Sequence, residues 1–576
     1  MQSSQAVRLW PAWVILALQA VAMILTITPS INNATRFYFM MLGPVMCLLL
    51  FLIWLFFASR IPLKERLLTF AGLVVLGLAA GFAADPSVRI AVWIYGIPLA
   101  MLAITVGLFI GREASSGRRL SFVLAGTTIA FGLLNLVRLG GFTGDYLPEM
   151  TWRWASSYEE VLTGVAEPGD RPATITATTD WPGFRGPERD GKAPGFDTPL
   201  DWKTSPPQEA WRISIGPGWS SFAHASGRLY TQEQRGESEV VSCYDAASGE
   251  TIWQHVSPVR FNEVVAGPGP RATPTVDDGR VFALGATGLL SALDAETGRQ
   301  LWQHDLVAKV EAMPPVWGFS GSPLVASGAV IVYAGGKGDH GLVAYAVATG
   351  EPAWQIASNG MNFSSAQLMR LAGQELVLFA DGTGVTAIDP ANGDVAWRFK
   401  PSEWGGPPIV QAQQLSPDEL VVSLGDGAGV ARLEATWAGG AWKVRELWSS
   451  RGLKPSFNDF VYHNGFLYGF DQNIFACVDA ATGERRWKRG RYGFGQQVLL
   501  TASSQIIVIT EKGELVLLDA NPDEHTELAR LPMLEGKTWN HPIVAEQRLI
   551  VRNGREAVSL ELAPGASSVA ALESGR

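Results

Sequence analysis

A ten-residue turn unit that recurs along the C-terminal two-thirds of the chain constrains its fold more than any other feature. Two clear copies run from Leu293 to Trp302 and from Tyr244 to Trp253. In each copy an Asp can bond forward to backbone amides, a Gly can adopt a positive φ angle, and a Trp four residues later begins the next strand. The unit therefore predicts a strand, a tight turn and a second strand.

Further copies set the period of the repeat. A weaker unit ending at Trp354 has Ala346 in place of the Asp, and two tryptophans stand in register although their Asp and Gly are missing. The tryptophans in register are Trp211, Trp253, Trp302, Trp354, Trp397, Trp448 and Trp487. Their spacings of 42, 49, 52, 43, 51 and 39 residues are typical of β-propeller blades.

The end of the chain lacks a strand that an earlier stretch can supply. Residues 519–528 form a degenerate turn without its Trp, and residues 539–562 offer three further strands. Residues 211–215 form a fourth strand without a blade of their own. Joining the two predicts an all-β propeller of eight blades over residues 181–565, a closed ring with no bare sheet edge.

The first 140 residues are of a different kind, apolar and with few charges. They contain five apolar segments, each near the ~20 residues that a helix needs to cross the hydrocarbon core. The segments are residues 11–28, 37–58, 67–84, 90–110 and 120–139. They predict an α-helical transmembrane domain of five helices over residues 1–140, with the lipid bilayer of the cytoplasmic (inner) membrane as its partner.

The short loops indicate the orientation of this domain. Loops after the first and third segments carry only Arg36 and Arg89, whereas the loops after the second and fourth are richer in basic residues. The richer loops contain Arg60, Lys64, Arg66, Arg112, Arg118 and Arg119. The positive-inside rule therefore predicts a cytoplasmic N-terminus and, after five crossings, a propeller outside the cytoplasm, which is the periplasm if the source is a Gram-negative bacterium.

Residues 141–180 read as a linker, with a short helix at 155–163 and a Pro-, Gly- and Thr-rich tether at 167–180. Residues 181–191 carry aromatic residues and glycines that favour a segment packed against the propeller rather than a blade. Residues 566–576 are expected to be a disordered tail.

Charge and cysteine content exclude two possibilities. The formal net charge of −9 gives no basic face of the kind that nucleic acid requires. Cys243 and Cys477 both lie two residues before a turn Asp, so they occupy the same strand position in separate blades. We therefore expect no disulfide between them.

The loops that precede the innermost strands should meet at one mouth of the propeller channel. Their aromatic rings can stack on a flat ligand and their cations can face its anionic groups, which makes them candidate cofactor-binding residues. These candidates are Trp219, Arg271, Trp317, Trp404, Lys537 and Trp539. Aromatic residues near the axis also help to pack wedge-shaped blades, and the sequence leaves both explanations open.

Three oxygen-bearing side chains in the same loops are candidates for a hard cation. Asn458 and Asp459 are adjacent, and Glu403 lies in another loop. Asp459 is also the candidate catalytic base. Three donors spread over two loops are a sparse set for Ca²⁺.

The turn from Asp294 to Trp302, repeated from Asp479 to Trp487, resembles the tryptophan-docking motif of the quinoprotein propellers. These are pyrroloquinoline quinone (PQQ) dehydrogenases and relatives without the cofactor. Residues 181–191, 271–274 and 536–540 are similar to a bacterial group of PQQ-like repeat proteins. Many of these are named by analogy with the outer-membrane β-barrel assembly lipoprotein, an eight-bladed scaffold. The resemblance implies a fold of the quinoprotein alcohol dehydrogenase-like superfamily.

The predicted five-span anchor with an external propeller is also similar to membrane-bound glucose dehydrogenase. That resemblance implies a catalytic Asp, a Ca²⁺ ion and PQQ, with electrons passing to a membrane quinone. However, the propeller is shorter than those of the dehydrogenases, and it lacks both their adjacent cysteine pair and their metal-ligand pattern.

Two functions follow, and the sequence leaves open whether the chain is an enzyme. In the first, the propeller is a binding or scaffold module for envelope proteins or for a small molecule in its channel. In the second, it is a PQQ-dependent alcohol or sugar dehydrogenase.

Overall fold

The computed structural model describes residues 7–28, 31, 33–155, 162, 180–311 and 313–563. They form two compact units. The first comprises Met1–Ser156 with Val264–Gly267, and the second Ser157–Glu263 with Pro268–Arg576. The predicted helix at 155–163, the tether at 167–180 and the tail at 566–576 lie almost entirely outside the described residues.

The first unit is built from five apolar helices. Helix α1 is Trp10–Thr26, α3 is Leu63–Ala83 and α5 is Ser116–Leu134. Helix α2 is Asn33–Ile53 and continues into a π-helical turn, Trp54–Ala58. Helix α4 consists of Arg89–Ala91, the π-helical turn Val92–Gly96 and Ile97–Ile110. Within the described residues, three helical stretches are long and apolar enough to cross a membrane: Thr35–Ala58, Leu63–Ala83 and Pro86–Ile110. They suggest a membrane anchor, whereas the number of five spans stays a prediction.

Loops that the sequence predicts on the cytoplasmic side meet at one end of the helices. The amide of Arg8 donates to the carbonyl of Ser59 at 3.0 Å. In the next pair of loops, Arg119 donates to Glu65 through two guanidinium nitrogens at 2.7 and 2.8 Å. The N-terminus, the α2–α3 loop and the α4–α5 loop therefore lie together, as expected of helices that run alternately up and down.

The other end of the helices carries a hairpin instead of the start of the predicted linker. Strands Val137–Phe142 and Pro148–Trp152 pair in antiparallel fashion. Two ion pairs attach this region to the helical loops, Arg36 with Asp145 at 3.1 Å and Arg138 with Asp85 at 3.2 Å. Residues 141–152, which we assigned to a linker, are therefore ordered, because these contacts fix the backbone.

The second unit consists of eight four-stranded antiparallel blades. Blade 1 consists of Ala223–Ala225, Arg228–Arg235, Ser238–Asp245 and Thr251–Ser257, and blade 2 of Thr275–Asp277, Arg280–Leu284, Leu289–Asp294 and Gln300–Asp305. Blade 3 consists of Leu324–Ala326, Ala329–Tyr333, Leu342–Ala346 and Pro352–Ile356, and blade 4 of Gln367–Leu371, Gln374–Asp381, Gly384–Ile388 and Val395–Phe399. A short helix, Leu306–Val310, follows blade 2.

The remaining blades continue the pattern. Blade 5 consists of Gln413–Ser416, Glu419–Ser423, Val430–Ala438 and Ala441–Ser450, and blade 6 of Val461–His463, Phe466–Asp471, Ile474–Asp479 and Arg485–Arg491. Blade 7 consists of Gln496–Leu500, Gln505–Ile509, Glu514–Asp519 and Thr526–Pro532, and Lys192–Ala193 extends it by a fifth strand. Blade 8 consists of Ile543–Ala545, Arg548–Arg552, Glu556–Glu561 and Gln208–Ser214.

Blade 8 closes the ring as the sequence predicts. Its outer strand, Gln208–Ser214, comes from the beginning of the propeller and pairs in antiparallel fashion with Glu556–Glu561 from the end. Trp211 lies opposite Ser559 in this pairing. The eight-bladed propeller is therefore confirmed.

Each docking tryptophan lies on the turn of the next blade, which explains the spacing of the repeat. The indole of Trp253 donates to the carbonyl of Ala295 at 3.1 Å. The turn glycine beneath it, Gly298, has φ +71°, and a Cβ there would come within 2.5 Å of the Trp253 ring. The glycine is thus required both by the turn and by the ring.

The same indole bond recurs round the ring. The other donor and acceptor pairs are Trp211 to Ala246, Trp302 to Val347, Trp354 to Pro390, Trp448 to Ala480 and Trp487 to Asn521. Trp397 is an exception, since its indole nitrogen is buried with no partner among the described residues. Blade 5, which should receive it, has a longer outer hairpin in place of the Asp-Gly turn.

The three cysteines are free and buried, which confirms that Cys243 and Cys477 form no disulfide. Burial raises the pKa of each of these two thiols to about 12. Both are therefore neutral packing residues at ordinary pH.

Candidate functional site

A ring of polar side chains surrounds the propeller axis. First strands of neighbouring blades contact one another, and in seven blades the residue two positions before that strand is polar. These residues, here called the polar ring, are Ser221, Thr273, Ser322, Ser365, Gln411, Asp459 and His541.

Hydrogen bonds join successive members of the ring in one direction. The amide of Ser221 donates to Thr273 Oγ1 at 2.9 Å, and the amide of Thr273 donates to Ser322 Oγ at 2.9 Å. The Ser322 amide donates to Ser365 Oγ at 2.8 Å. Blades 1 to 4 are therefore bonded one to the next close to the axis, and these members of the polar ring stabilise that part of the circle.

Asp459, the predicted catalytic base, is a member of this ring and is fully engaged. Its Oδ1 accepts the amide of Gln411 at 2.7 Å and lies 3.4 Å from Nη1 of Arg185. Its Oδ2 lies 3.0 Å from Nε2 of His541. Burial would raise the pKa of Asp459, but the charge of Arg185 and the bond from His541 outweigh it and hold the pKa below its usual range.

Arg185 belongs to a segment that crosses the inside of the ring. Residues 181–193, here called the plug segment, hydrogen-bond to the first strands of several blades, so they pack on the propeller as the sequence predicts. Trp181 exchanges two backbone bonds with His224 of blade 1. At the other end, Lys192 and Ala193 pair in parallel with blade 7. The two ends of the plug segment are thus bound to blades 1 and 7, on either side of blade 8.

Two buried arginines of the plug segment fill the axis. Arg189 donates to the carbonyl of Ala366 at 2.8 Å, to that of Ser322 at 3.2 Å and to Thr275 Oγ1 at 3.1 Å. Burial lowers its pKa to about 9. Arg185 donates to the carbonyl of Phe460 at 3.0 Å. These bonds tie blades 2, 3, 4 and 6 to one segment and block the channel with guanidinium groups.

Three of the predicted ligand-binding residues meet in one aromatic cluster. The rings of Trp219 and Trp539 lie 4.9 Å apart, and the ammonium of Lys537 lies 5.3 and 4.6 Å from them. Phe457 extends the cluster at 4.7 Å from Trp539 and stacks on Phe494 at 5.4 Å. We call these five residues the mouth cluster; the rings of Trp219 and Phe457 are half-buried.

A buried carboxylate fixes the orientation of the mouth cluster. The indole of Trp539 donates to Glu511 Oε1 at 2.9 Å, and the amide of Phe494 donates to the other oxygen at 3.3 Å. The Trp539 ring is thereby held in place before any ligand arrives, which reduces the entropy that binding must cost.

Arg271 and Trp317 form a second, separate group. Arg271 donates to the carbonyl of Trp317 at 3.3 Å and pairs with Glu263 at 3.3 Å. Burial lowers the pKa of Arg271 to about 10. Burial also raises the pKa of Glu239 to about 7, against the opposing charge of Arg271. Arg271 is thus already surrounded by acids within the fold.

The remaining predicted residues are dispersed. Trp404 donates its indole N–H to the carbonyl of Asp381 at 3.1 Å, and Glu403 is exposed. Asn458 is fully buried and bonded to the backbone of Ser456 and Gln472 at 3.1 and 3.3 Å. Among the residues described, no group of three or more His, Cys, Asp or Glu side chains is placed to hold a metal ion. The metal, cofactor and catalytic roles stay predictions.

Sequence reasoning missed Arg185 and His541 as the partners of Asp459. Aligning the eight mouth loops by their first strands would have placed His541 in register with Asp459, because both precede a strand by two residues. For Arg185 the sequence offers a weaker signal, a single cation within the aromatic and glycine-rich opening of the propeller.

The fold, its repeat and its docking tryptophans define the class of protein: the chain carries an eight-bladed β-propeller with PQQ-like repeats. Residues 237–489 match the family model described as "Outer membrane protein assembly factor BamB". Among curated proteins, no sequence matched the chain.

Solved structures that are similar to part of the chain include BamB and several dehydrogenases. BamB from Moraxella catarrhalis is 17% identical, with a TM-score of 0.45, covering 62% of this chain and 99% of that one. A europium-containing methanol dehydrogenase is 13% identical, with a TM-score of 0.41 and coverages of 67% and 98%. The quinohemoprotein alcohol dehydrogenase ADHIIG from Pseudomonas putida HK5 is also 13% identical, with a TM-score of 0.42 and coverages of 67% and 81%.

The residues present fit PQQ with Ca²⁺ poorly. Both oxygens of Asp459 are engaged by protein groups, and the Asn458 amide is bonded to backbone. Arg271, a predicted partner for the anionic groups of PQQ, is paired with Glu263. A cation at Asp459 would have to displace the Arg185 guanidinium, which lies 3.4 Å away.

The propeller should lose stability as the pH falls from 7.5 to 5.5. Burial lowers the pKa of six histidines: His224, His255, His304, His463, His525 and His541. They stay neutral in the fold, whereas the unfolded chain takes up protons near pH ~6.5. Their stabilisation is therefore complete above that pH and is lost below it. Asp459, with a lowered pKa, adds a loss only in its own, more acidic range.

Urea denaturation followed by tryptophan fluorescence at both pH values measures this effect. We expect a lower midpoint at pH 5.5, and a smaller decrease in His541→Gln, whose amide cannot take up a proton. Glu239, whose pKa burial raises to about 7, gains stability over the same interval in both proteins. An equal change of midpoint in wild type and His541→Gln would therefore contradict the assignment of a neutral buried His541.

Proposed function

We propose that the chain is a membrane-anchored binding or scaffold module, in which the mouth cluster of an externally facing propeller recognises an envelope protein or a small ligand. Its parts are a five-helix transmembrane domain at residues 1–140, a linker region at 141–180, the propeller at 181–565 and a tail at 566–576. The N-terminus lies in the cytoplasm, the helices lie in the cytoplasmic membrane, and the propeller lies outside it.

The arrangement of the helical unit supports the anchor. Five apolar helices alternate in direction, and the loops rich in Arg and Lys lie at one end, where Arg119 pairs with Glu65. An odd number of crossings then carries the following chain to the opposite side. Trp152 and Trp154, at the other end, are exposed and stacked 5.1 Å apart, as is common at a membrane surface.

The observation that carries the proposal is the contrast between the axis and the mouth. At the axis, Asp459 is held between Arg185 and His541, so that the group best suited to catalysis serves the packing of the ring. At the mouth, by contrast, Trp219 and Phe457 are half-buried rings beside the Lys537 ammonium. Aromatic rings are enriched in protein-recognition surfaces, and the Lys537 ammonium beside them can pair with an anionic group of a partner.

A photo-crosslinking amino acid in the mouth cluster tests this function in cells of the source organism. We expect p-benzoylphenylalanine at position 219 to give a discrete crosslinked product that disappears in Lys537→Glu. The matched control is the same label at position 437, where Trp437 is 45% exposed on the outer hairpin of blade 5. No product from position 219, or the same product from both positions, would reject the mouth as the binding surface.

The dehydrogenase alternative is tested with the purified full chain, PQQ, Ca²⁺ and an electron-accepting dye. A scaffold gives no dye reduction with alcohols or sugars. Sustained turnover that is lost in Asp459→Ala and in Arg271→Ala would instead establish the enzyme and overturn the proposal.

A further inference from the structure

The helical unit contains a cavity of about 230 Å³ between α1, α2, α4 and the hairpin. Its wall is apolar apart from a few uncharged polar groups. The lining residues that matter here are Gln19, Thr26, Met40, Pro44, Tyr95 and Tyr146. None of them carries a charge, and Arg36, which contacts Thr26 and Tyr146, is already paired with Asp145, so an ionised ligand would enter without a free counter-ion.

The notable member of this wall is Gln19, which lies on α1 and is only 2% exposed. Neither Nε2 nor Oε1 of its side chain has a hydrogen-bond partner within the described part of the chain. A buried primary amide with two unsatisfied atoms is costly in any protein and more so in a bilayer, where no water replaces the missing partner. A bound molecule that offers both an acceptor and a donor would satisfy the two atoms.

A second feature adds a polar atom to the same wall. Pro44 lies inside α2 and has no N–H to donate to the carbonyl of Met40, one turn earlier. Both residues line the cavity. The hydroxyl-bearing ring of Tyr95 lines it as well, so donors and acceptors lie beside an otherwise apolar space.

The chemistry of the amide selects the ligand. Gln19 offers N–H donors and one carbonyl acceptor, so its complement must provide both an acceptor and a donor. A phosphate or carboxylate is excluded by its charge, and an ester or ketone without a hydroxyl leaves Oε1 unsatisfied. An acylglycerol has what is needed: a free hydroxyl, neighbouring ester carbonyls and alkyl chains for the apolar wall.

We propose that this cavity binds the uncharged headgroup of an acylglycerol, whose hydroxyl donates to Oε1 of Gln19 and whose ester carbonyl accepts from Nε2. The inference rests on the proposed membrane location of the helical unit, and it adds a neutral-lipid site that the scaffold function does not require.

Photolabelling of the full chain in lipid nanodiscs tests the site. The probe is a diacylglycerol with a diazirine in one acyl chain, and labelled peptides are mapped to α1 and α2. We expect Gln19→Met to reduce labelling about tenfold, the loss that corresponds to roughly 1.4 kcal/mol of binding. When both proteins are measured without diacylglycerol, Gln19→Met should also melt at a higher temperature than the wild type, because the variant no longer buries an unsatisfied amide.

Two controls distinguish hydrogen bonding to Gln19 from nonspecific hydrophobic binding of the probe. Thr128→Val changes an exposed hydroxyl that bonds only to its own helix, at Leu124, and should leave labelling unchanged. Dioctanoylglycerol should compete with the probe at least tenfold better than its methyl ether, which cannot donate. Equal labelling of wild type and Gln19→Met, equal competition by the ether, or protection by neither compound would overturn the site, and the last result would assign the cavity to water.

Alkaline extraction of membranes distinguishes this inference from the function on which it rests. A chain released into the soluble fraction would reject both. A chain that stays in the membrane, with labelling that does not depend on Gln19, would reject the lipid site alone.

Discussion

Replacing Arg185 by Met is expected to lower the free energy of unfolding of the propeller by about 3–5 kcal/mol, the cost of leaving one partner of a buried ion pair alone. The side chains of Arg185 and Asp459 are 1% and 4% exposed, so water cannot replace the lost guanidinium. The substitution also removes the bond from Arg185 to the carbonyl of Phe460. Urea denaturation at pH 7.5 measures the effect.

Adding Asp459→Asn to the Arg185→Met variant should recover most of the loss. An Asn at this position keeps an oxygen for the amide of Gln411 and can donate to His541, while the uncompensated charge is gone. If Arg185→Met alone costs less than about 1 kcal/mol, or if the second change makes it worse, the pairing across the axis is not the stabilising element that the geometry indicates.

Trp211→Ala should cost about as much, roughly 3–5 kcal/mol, because it empties a large buried site. Trp211 lies on the outer strand that closes blade 8, and its indole donates to the carbonyl of Ala246 in blade 1 at 3.0 Å. A Cβ at Gly249 would lie 2.8 Å from its ring, which shows how closely ring and turn pack. The substitution therefore weakens the joint at which strands from the beginning and the end of the propeller close blade 8.

The control for this variant is Trp437→Ala. Trp437 is 45% exposed and packs edge-to-face on Trp442 at 5.5 Å, so its loss should cost about 1 kcal/mol or less. Limited proteolysis adds a second readout, since cleavage in Trp211→Ala should begin within residues 208–214. Equal losses in the two variants would mean that closure by this strand does not limit the stability of the propeller.

The number of blades was predictable because each repeat has its own local turn signal and also packs on the turn of the next repeat. Each Asp-Gly turn specifies its own hairpin, and each Trp needs the turn of the following blade, as Trp253 needs Gly298. Blade 8, whose fourth strand comes from the beginning of the propeller, could also be completed by counting strands. The hairpin within residues 137–152 was not predictable, because it is held by ion pairs with distant residues, such as Arg36 with Asp145, which no local pattern reveals.

The site was predictable only in part. Loop positions brought Trp219, Lys537 and Trp539 to one place, since every first strand starts at the same end of the propeller. The loops could not reveal that Asp459 is neutralised from another segment, because Arg185 lies 274 residues earlier in the sequence. Partner identity at the axis is a tertiary property, and a single acidic residue has the same appearance in sequence whether it binds a metal or an arginine.

The content of PQQ and calcium in the protein purified from its own host tests the central claim most directly. We expect an absorbance spectrum without a bound quinone and calcium far below one ion per chain, because the Arg185 guanidinium and the His541 imidazole already engage the Asp459 carboxylate. One quinone and one calcium ion per chain would contradict the scaffold function and make the dehydrogenase the correct reading of the fold.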